Sequence, residues 1–311
     1  MYRNNKIVAV IPAYNEEKLI GKVIQKMPAF IDNMIIINDG SHDKTEDAII
    51  KTGDNRVIYI KNENNIGVGG SVCKGAEKAK KIKADIIVTM AGDDQCDPKY
   101  LPKLLDPIIE DKCDFTKGNR FFSRDSLHGM PFHRIFGSIV LSFMNKIASG
   151  YWSIFDPQNG YSAQSFRAFE KIDFNRITKR FAYENDLLIN LNIIDARVKD
   201  IPIPALYGEE ASSMKIWKIV PSFSWFLFKG FFRRIFRKYV IRGFHPIFLF
   251  FFFGTIFTSW GLIFGLVSWK HSHFSGVITN TGTVMLSVIP FLMGFEMLLW
   301  AFVLDIQAEP K

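Results

Sequence analysis

The sequence predicts an α/β protein, built on a doubly wound and mostly parallel sheet, with a basic amphipathic segment and a two-helix membrane anchor at its C-terminal end. Three observations predict it. Short apolar runs alternate with helical stretches from Lys6 to about Ile109. Most of these runs empty into a loop of acids, amides or glycines, and an open α/β sheet binds its ligands beyond the carboxyl ends of its strands. Beyond about residue 214 the chain becomes Phe-rich and basic, and then nearly uncharged.

The totals fit that division. The chain has 311 residues, enough for one large domain and something extra, and 48% of them are hydrophobic, with 30 Phe. The net charge of +8 is consistent with nucleic acid, but many of the cations stand beside apolar segments. That arrangement favours an anionic membrane surface, and no nucleic-acid motif is present. Cys73, Cys96 and Cys113 have no CxxC spacing and are odd in number. They read as reduced thiols in a cytosolic compartment, with no disulfide framework or zinc site. Lys6 to Ile11 already reads as a strand, so no signal peptide is expected and the soluble part stays on the cytoplasmic side.

In chain order, Lys6–Ile11 is the first strand, and Pro12-Ala-Tyr-Asn-Glu-Glu17 ends it and opens a helix running to about Met27. Met34–Asn38 is the second strand, followed by Asp39-Gly-Ser-His-Asp43, where Ser41 or Asp43 can cap the next helix. Val57–Lys61 is the third. Asn64-Asn-Ile-Gly67-Val-Gly-Gly70 then leads into a helix over roughly Ser71–Lys81. Those glycines suit either a phosphate approached by backbone at a helix N-terminus or a tight turn. Asp85–Met90 is the fourth strand and Tyr100–Ile109 a helix. Between them lie Asp93, Asp94, Gln95 and Asp97, oxygen donors of the kind hard divalent cations take. Asp97, just before Pro98, also reads as an N-cap. Loops at one edge of a parallel sheet converge, so Tyr14, Glu16, Asp39, Asp93 and Gln95 are expected around one crevice.

Taken together, Pro12-Ala-Tyr-Asn-Glu16, Asn38-Asp-Gly-Ser41, Asn65-Ile-Gly-Val-Gly-Gly70 and Asp93-Asp-Gln95 resemble, in order, the motifs of family 2 glycosyltransferases of the GT-A fold. The subgroup resembled is the dolichol-phosphate mannose synthase-like, or polyprenyl-phosphate, glycosyltransferases, over roughly residues 6 to 205. The resemblance implies a UDP- or GDP-sugar donor, its nucleoside against Pro12, Tyr14, Glu16 and Asp39. Gly67 and Gly70 stand at the phosphate-side loop. Mg²⁺ or Mn²⁺ held by Asp93 and Gln95 would neutralise the departing diphosphate. The family's metal motif reads Asp-x-Asp, and here Ala91 replaces the first Asp, with Asp94 as a substitute carboxylate.

Phe115–Gly118 is a fifth strand, and Gly118-Asn119-Arg120 matches the subgroup's Gly-Ser-Arg. Arg134 opens a helix over about Ile135–Ser149. By resemblance, Arg120 and Arg134 hold an acceptor phosphate, which guanidinium does bidentately; each is otherwise an ordinary surface cation. Asp156-Pro-Gln-Asn-Gly-Tyr161-Ser162 stands where relatives carry Asp-x-x-Ser-Gly-Phe-Arg, with Asn159 and Ser162 as departures. Glu184 or Asp186 is a candidate base, or an acid favoured in the first turn of a helix running to about Asn192. A phosphate acceptor is already anionic near neutral pH, so an inverting displacement needs positioning more than a base.

Residues 206–243 are basic and aromatic. Phe231, Phe232, Ile235, Phe236, Tyr239 and Val240 face away from Arg233, Arg234, Arg237 and Lys238 on a helix, as in an interfacial helix on anionic lipid or one packed on the domain. Pro221 suggests a break. Residues 244–269 and 277–304 are candidate spans within an anchor over 244–304. The first, at about 39 Å, is long enough to cross a bilayer. Lys270–Ser275 is read as the outer turn, with His271 and His273 exposed. Glu296 should face protein or the interface. The cations ahead of the first span place both ends, including the tail 305–311, in the cytoplasm. The expected partners are therefore a nucleotide-sugar, a polyprenyl phosphate, the membrane and, through the hairpin, a second copy of the chain, with no nucleic acid. Two other readings keep the fold. One transfers to a lipid-linked saccharide in surface polysaccharide synthesis; the other is a non-catalytic membrane scaffold.

Overall fold

A computed structural model describes residues 1–122, 132–180, 182–204 and 216–311; the side chains of residues 122, 132–136, 138 and 216–220 lie outside the description. The chain divides into two compact units, Met1–Phe231 with Pro310–Lys311, and Phe232–Glu309.

The first unit is a helix–sheet–helix sandwich. Its strands are β1 (Ile7–Ala13), β2 (Asn33–Asn38), β3 (Val57–Lys61), β4 (Ile86–Thr89), β5 (Phe115–Asn119), β6 (Ser162–Ser165) and β7 (Val198–Pro202). They pair in the order β3-β2-β1-β4-β6-β5-β7. All neighbours are parallel except β6, which runs antiparallel to both β4 and β5. The reason lies in alternation. Ile7, Ala9 and Ile11 of β1, with Met34 and Ile36 of β2, face one core. Val8 and Val10, with Ile35 and Ile37, face the other. A strand covered on both faces must be apolar throughout, which is why β1 and β2 read as continuous runs.

α1 (Ile20–Lys26) and α4 (Leu101–Ile109) cover the first face through Ile20, Ile24, Leu101, Leu104 and Leu105. α3 (Val68–Lys81) and α7 (Tyr183–Ile193) cover the second through Val72, Ala76, Ala79, Leu187, Leu188 and Leu191. α2 is Thr45–Lys51, α5 Phe132–Ser149, α6 Phe166–Lys171 and α8 Ile216–Ile235. β6, α6 and β7 were not foreseen. β6 reads Ser-Ala-Gln-Ser, four residues with no apolar alternation, and is a strand because β4 and β5 offer it edges on both sides.

Several boundaries differ from expectation. α1 starts at Ile20, because residues 14–17 are tied to the loop after β2: Glu16 N–H donates to Thr45 Oγ1 at 2.8 Å and Glu17 N–H to Asp43 Oδ2 at 3.1 Å. Neither Ser41 nor Asp43 is the N-cap of α2; Lys44 stands there without a side-chain cap, although Asp43 Oδ1 accepts from Thr45 N–H at 3.0 Å. Pro221 does not break α8, which continues through it. A proline near a helix start forfeits few backbone bonds.

The second unit is an antiparallel hairpin of α9 (Pro246–Ser275) and α10 (Thr281–Gln307), both long and apolar enough to cross a membrane. Their seam is built from small residues. A Cβ on Gly254 would meet Gly294 O at 3.0 Å, and one on Gly261 would meet Ser287 O at 2.6 Å, so the backbones approach as closely as glycine allows. Lys270–Ser275 is helix and not the turn. The turn is Gly276–Asn280, where Gly276 takes φ +67° to end α9 and Asn280 caps α10 by accepting from Thr283 N–H at 2.8 Å. Glu296 is exposed and not turned to α9; it lies two residues, about 200° of helix, from Gly294 on the seam.

The expected cationic face is also revised. Phe236–Ile241 is π-helical, which changes the angle per residue and breaks the counted periodicity. Arg234 is 1% exposed and grips Asp305 with two bonds of 2.7 and 2.8 Å, while Tyr239 Oη donates to the same carboxylate at 2.7 Å. Arg234 therefore faces protein and leaves the cationic face, while Phe232 and Phe236 of the apolar face are exposed.

Candidate active site

The site begins where β4 stops. After Thr89 the chain turns through Gly92, where a Cβ would crowd Pro12 O at 3.2 Å, and Asp94, which takes φ +60°. The turn sorts the four oxygen donors. Asp94 points at Lys26, whose Nζ reaches its two oxygens at 2.7 and 2.6 Å. Asp97 caps the following turn by accepting from Lys99 N–H at 3.0 Å. Asp93 and Gln95 line a cavity of about 240 Å³. Asp94 is thus committed elsewhere and does not take the place of the carboxylate missing at Ala91. Among the described residues no group of three or more His, Cys, Asp or Glu gathers to hold a metal alone. One carboxylate and one amide oxygen suit a hard cation if a ligand supplies further oxygens.

The opposite wall comes from β5 and the segment before β6. Arg120 lines the cavity. Its Nε and Nη2 donate to Asp156 at 2.8 and 3.1 Å, and Asp156 is 1% exposed. A buried carboxylate therefore fixes the plane of the guanidinium. Behind it lies Lys117, 2% exposed, whose ammonium donates to Asn159 O. Burial holds the Lys117 amine below its usual range, against the pull of Glu184, Asp156 and Asp200. Glu184, on the first turn of α7, also lines the cavity. Part of its surface opens there, but protein surrounds it on most sides, and burial pushes its carboxyl up to about 7, with Lys117 pulling the other way. Asp200 of β7 is raised to about 6 by burial while accepting from Phe155 N–H at 2.8 Å and Asn119 Nδ2 at 2.9 Å. Asp186 is buried and accepts from Thr178 N–H at 2.7 Å, which gives it a structural role.

Pro12 also lines the cavity. The remaining expected ligands are placed otherwise. Tyr14 is 42% exposed, edge-on to His42, and Glu16 lies in the same stitched loop. Asp39 is 3% exposed with its carboxylate occupied: Asn62 Nδ2 at 2.8 Å, Ile66 N–H at 3.0 Å and Gly67 N–H at 2.9 Å all donate to it. It shapes the glycine loop from beneath. Those glycines answer a packing need. A Cβ on Gly67 would meet Lys179 O at 2.6 Å, one on Gly69 Tyr183 Cβ at 2.4 Å and one on Gly70 Ile66 at 3.0 Å. Gly70 N–H donates to Lys179 O at 2.9 Å. Arg134 lies in α5, with its side chain outside the described residues.

Sequence reasoning passed over Lys117, Asp156 as the Arg120 holder, and Asp200. A lysine in the middle of a buried strand was the available signal for the first. The other two depend on which segments β5 meets.

A profile described as glycosyl transferase family 2 matches residues 8–184. The chain is 33% identical over 219 residues to a UDP-N-acetylglucosamine–dolichyl-phosphate N-acetylglucosaminyltransferase of Methanococcus voltae, covering 65% of this chain and 86% of that one. It is 27% identical over 219 residues to a dolichyl-phosphate hexose transferase of Haloferax volcanii, covering 69% and 88%. Among solved structures it shares the fold of glucosyl-3-phosphoglycerate synthase from Mycobacterium tuberculosis, crystallised with Mn²⁺, UDP-glucose and phosphoglyceric acid. The TM-score is 0.55 at 18% identity, over 74% of this chain and 80% of that one.

Proposed function

The chain belongs to glycosyl transferase family 2, and from that premise we propose that it transfers a sugar from a nucleotide-sugar to a membrane polyprenyl phosphate. The observation that carries this reading is the pairing of Asp93 and Gln95 with Arg120 around one cavity. Oxygen donors for a diphosphate-bound cation stand with a guanidinium for an anionic acceptor. The relatives named for dolichyl phosphate support the acceptor, and the one named for UDP-N-acetylglucosamine supports a UDP-sugar over a GDP-sugar.

The cavity lined by Asp93, Gln95 and Arg120 takes the sugar and diphosphate. The nucleoside then lies on the rim, along Pro12, Tyr14 and Glu16, above the loop that Asp39 holds. Asp93 and Gln95 would hold Mg²⁺ or Mn²⁺, which would neutralise the charge that builds on the departing diphosphate. Arg120, held rigid by Asp156, orients the acceptor phosphate for in-line attack at the sugar C1, with inversion. Glu184, at about 7, is partly neutral at physiological pH and repels that phosphate less than an ordinary carboxylate. The hairpin α9–α10 anchors the enzyme in the membrane where its lipid acceptor resides, with the catalytic unit and both termini on the cytoplasmic side.

The test combines purified protein in detergent, Mn²⁺, polyprenyl phosphate and a panel of labelled nucleotide-sugars, with label followed into the organic phase. Label extracted by the wild type and not by Asp93→Ala supports the reaction and names the donor. Nucleotide-sugar hydrolysis without extracted label would replace the acceptor with a lipid-linked saccharide. Neither transfer nor hydrolysis would overturn the reading.

A further inference from the structure

β5 is buried along its whole length, yet its central residue is a lysine. Lys117 stands directly opposite Ser162 on β6 and opposite Asp200 on β7. Paired residues project to one face of a sheet, so the ammonium and the Asp200 carboxylate share a face. It is the face on which Phe115, two residues earlier in the strand, packs with Leu187 and Leu188 of α7. Taking an ammonium out of water is costly, and a methionine of similar length would avoid the cost. Burial works against the Lys117 charge, and Glu184, Asp156 and Asp200 pull the other way.

The bonds around this lysine converge on the Arg120–Asp156 pair. The ammonium donates to Asn159 O, in the segment that begins at Asp156. Asn159 Nδ2 returns a bond of 2.9 Å to Gly118 O, so β5 and that segment are tied in both directions. Asp200 Oδ2 accepts from Asn119 Nδ2 at 2.9 Å and from Phe155 N–H at 2.8 Å, the residues immediately before Arg120 and Asp156. Asp200 Oδ1 is buried and has no hydrogen-bond partner among the described residues. Its compensation comes from charge and not from a bond, and Lys117 is its cross-strand neighbour.

We propose that Lys117 is a positioning residue for the acceptor phosphate, acting through Arg120. Its ammonium pins the Asn159 wall of the cavity from below and balances Asp200, which joins the residues behind the Arg120–Asp156 pair. The inference rests on the polyprenyl-phosphate reading of the acceptor. Without the lysine, Asp200 loses its cross-strand counter-charge, and the guanidinium loses the rigid footing that in-line attack needs.

Transfer is measured with the full chain in detergent, Mn²⁺ and a labelled nucleotide-sugar, with polyprenyl phosphate and donor varied in turn. Lys117→Met should raise the KM for polyprenyl phosphate about tenfold and the KM for the donor by less than about twofold. Added to Asp156→Asn, which already loosens Arg120, it should raise the acceptor KM by no more than about twofold, because changes that act through one contact are not additive. The neutral pair Lys117→Met/Asp200→Asn should return to within about threefold of wild type, the remainder reflecting the lost bond to Asn159 O. A further rise of about tenfold on top of Asp156→Asn would mean that Lys117 acts apart from Arg120, and would overturn the proposal. So would equal rises in both KM values, or no change in either. If Lys117→Met does not fold, the neutral pair carries the test. An acceptor KM near that of wild type then supports the balance with Asp200, whereas an acceptor KM still raised about tenfold, or a pair that also fails to fold, would overturn it. No transfer to polyprenyl phosphate by the wild type would remove the acceptor reading itself, and this proposal with it.

Discussion

In the second unit, Arg234 is buried against Asp305 with both carboxylate oxygens bonded and Tyr239 completing the set. Around the cavity of the first unit, Lys117 is buried and Glu184 and Asp200 are half-buried, and their charged forms are less well compensated. Burial lowers the Lys117 amine and raises Glu184 to about 7 and Asp200 to about 6. A satisfied pair in low dielectric locks a structure. An unbalanced group in a cavity is ready to respond to an incoming charge, and such groups concentrate at functional sites. The two clusters use similar residue types for opposite ends, and variants can separate them.

The largest expected effect is at Asp93. Asp93→Ala should lower transfer by about a hundredfold or more, since it removes the one carboxylate this loop offers the cavity. The melting temperature should hardly move. A large loss of stability would make Asp93 structural and erase the contrast.

Asp305→Ala should do the reverse. It strands a buried guanidinium and should cost about 3–5 kcal/mol of stability in detergent, read by denaturant unfolding. The double variant Arg234→Met/Asp305→Leu should recover most of that loss, because a matched apolar pair replaces a matched ionic one. Recovery in the second unit, set against no recovery of activity by Arg120→Met/Asp156→Leu in the first, would sharpen the distinction.

Asp156→Asn keeps the shape and weakens the hold on Arg120. It should raise the KM for polyprenyl phosphate by about tenfold, with a smaller change in the KM for the donor, as one weakened charge-assisted contact implies. Equal changes in both would remove Arg120 from the acceptor side.

The smallest effect is in the pH dependence of stability. Glu184 is raised in the folded protein from 4.5 to about 7, so the folded state holds its proton more tightly than the unfolded chain. Its contribution is complete below pH 4.5 and is lost as pH rises through about 7. Asp200 acts in the same sense between 3.8 and about 6. Between pH 6 and 7.5, Glu184→Gln should therefore flatten the fall in stability measured by urea unfolding. An unchanged slope would place the Glu184 carboxyl in solvent.

The strands that alternation and burial dictate, β1 to β5, were legible in the chain because both faces of a parallel sheet must be apolar. β6 was not, since a short polar segment between two strands owes its conformation to their edges. Asp93, Gln95, Arg120 and Glu184 were legible as loop and helix-start residues after apolar runs, and the structure brings them to one cavity. Asp39 and the glycines were legible as a cluster; only the structure shows that Asp39 accepts from Ile66 and Gly67 N–H and that Gly67 and Gly69 stand against Thr178, Lys179 and Tyr183.

By itself the sequence determined the alternating α/β order, the pair of apolar spans and the family to which the motifs belong. All three are carried by local pattern, which survives without knowledge of what packs against what. The tertiary structure decided where each carboxylate lies. Asp94 goes to Lys26, Asp97 to its turn, Asp156 to Arg120 and Asp305 to Arg234, while Asp93 and Glu184 line the cavity. It also decided that Arg234 turns inward. Charge pairing and burial depend on neighbours distant in the chain, and spacing along one helix cannot carry that information.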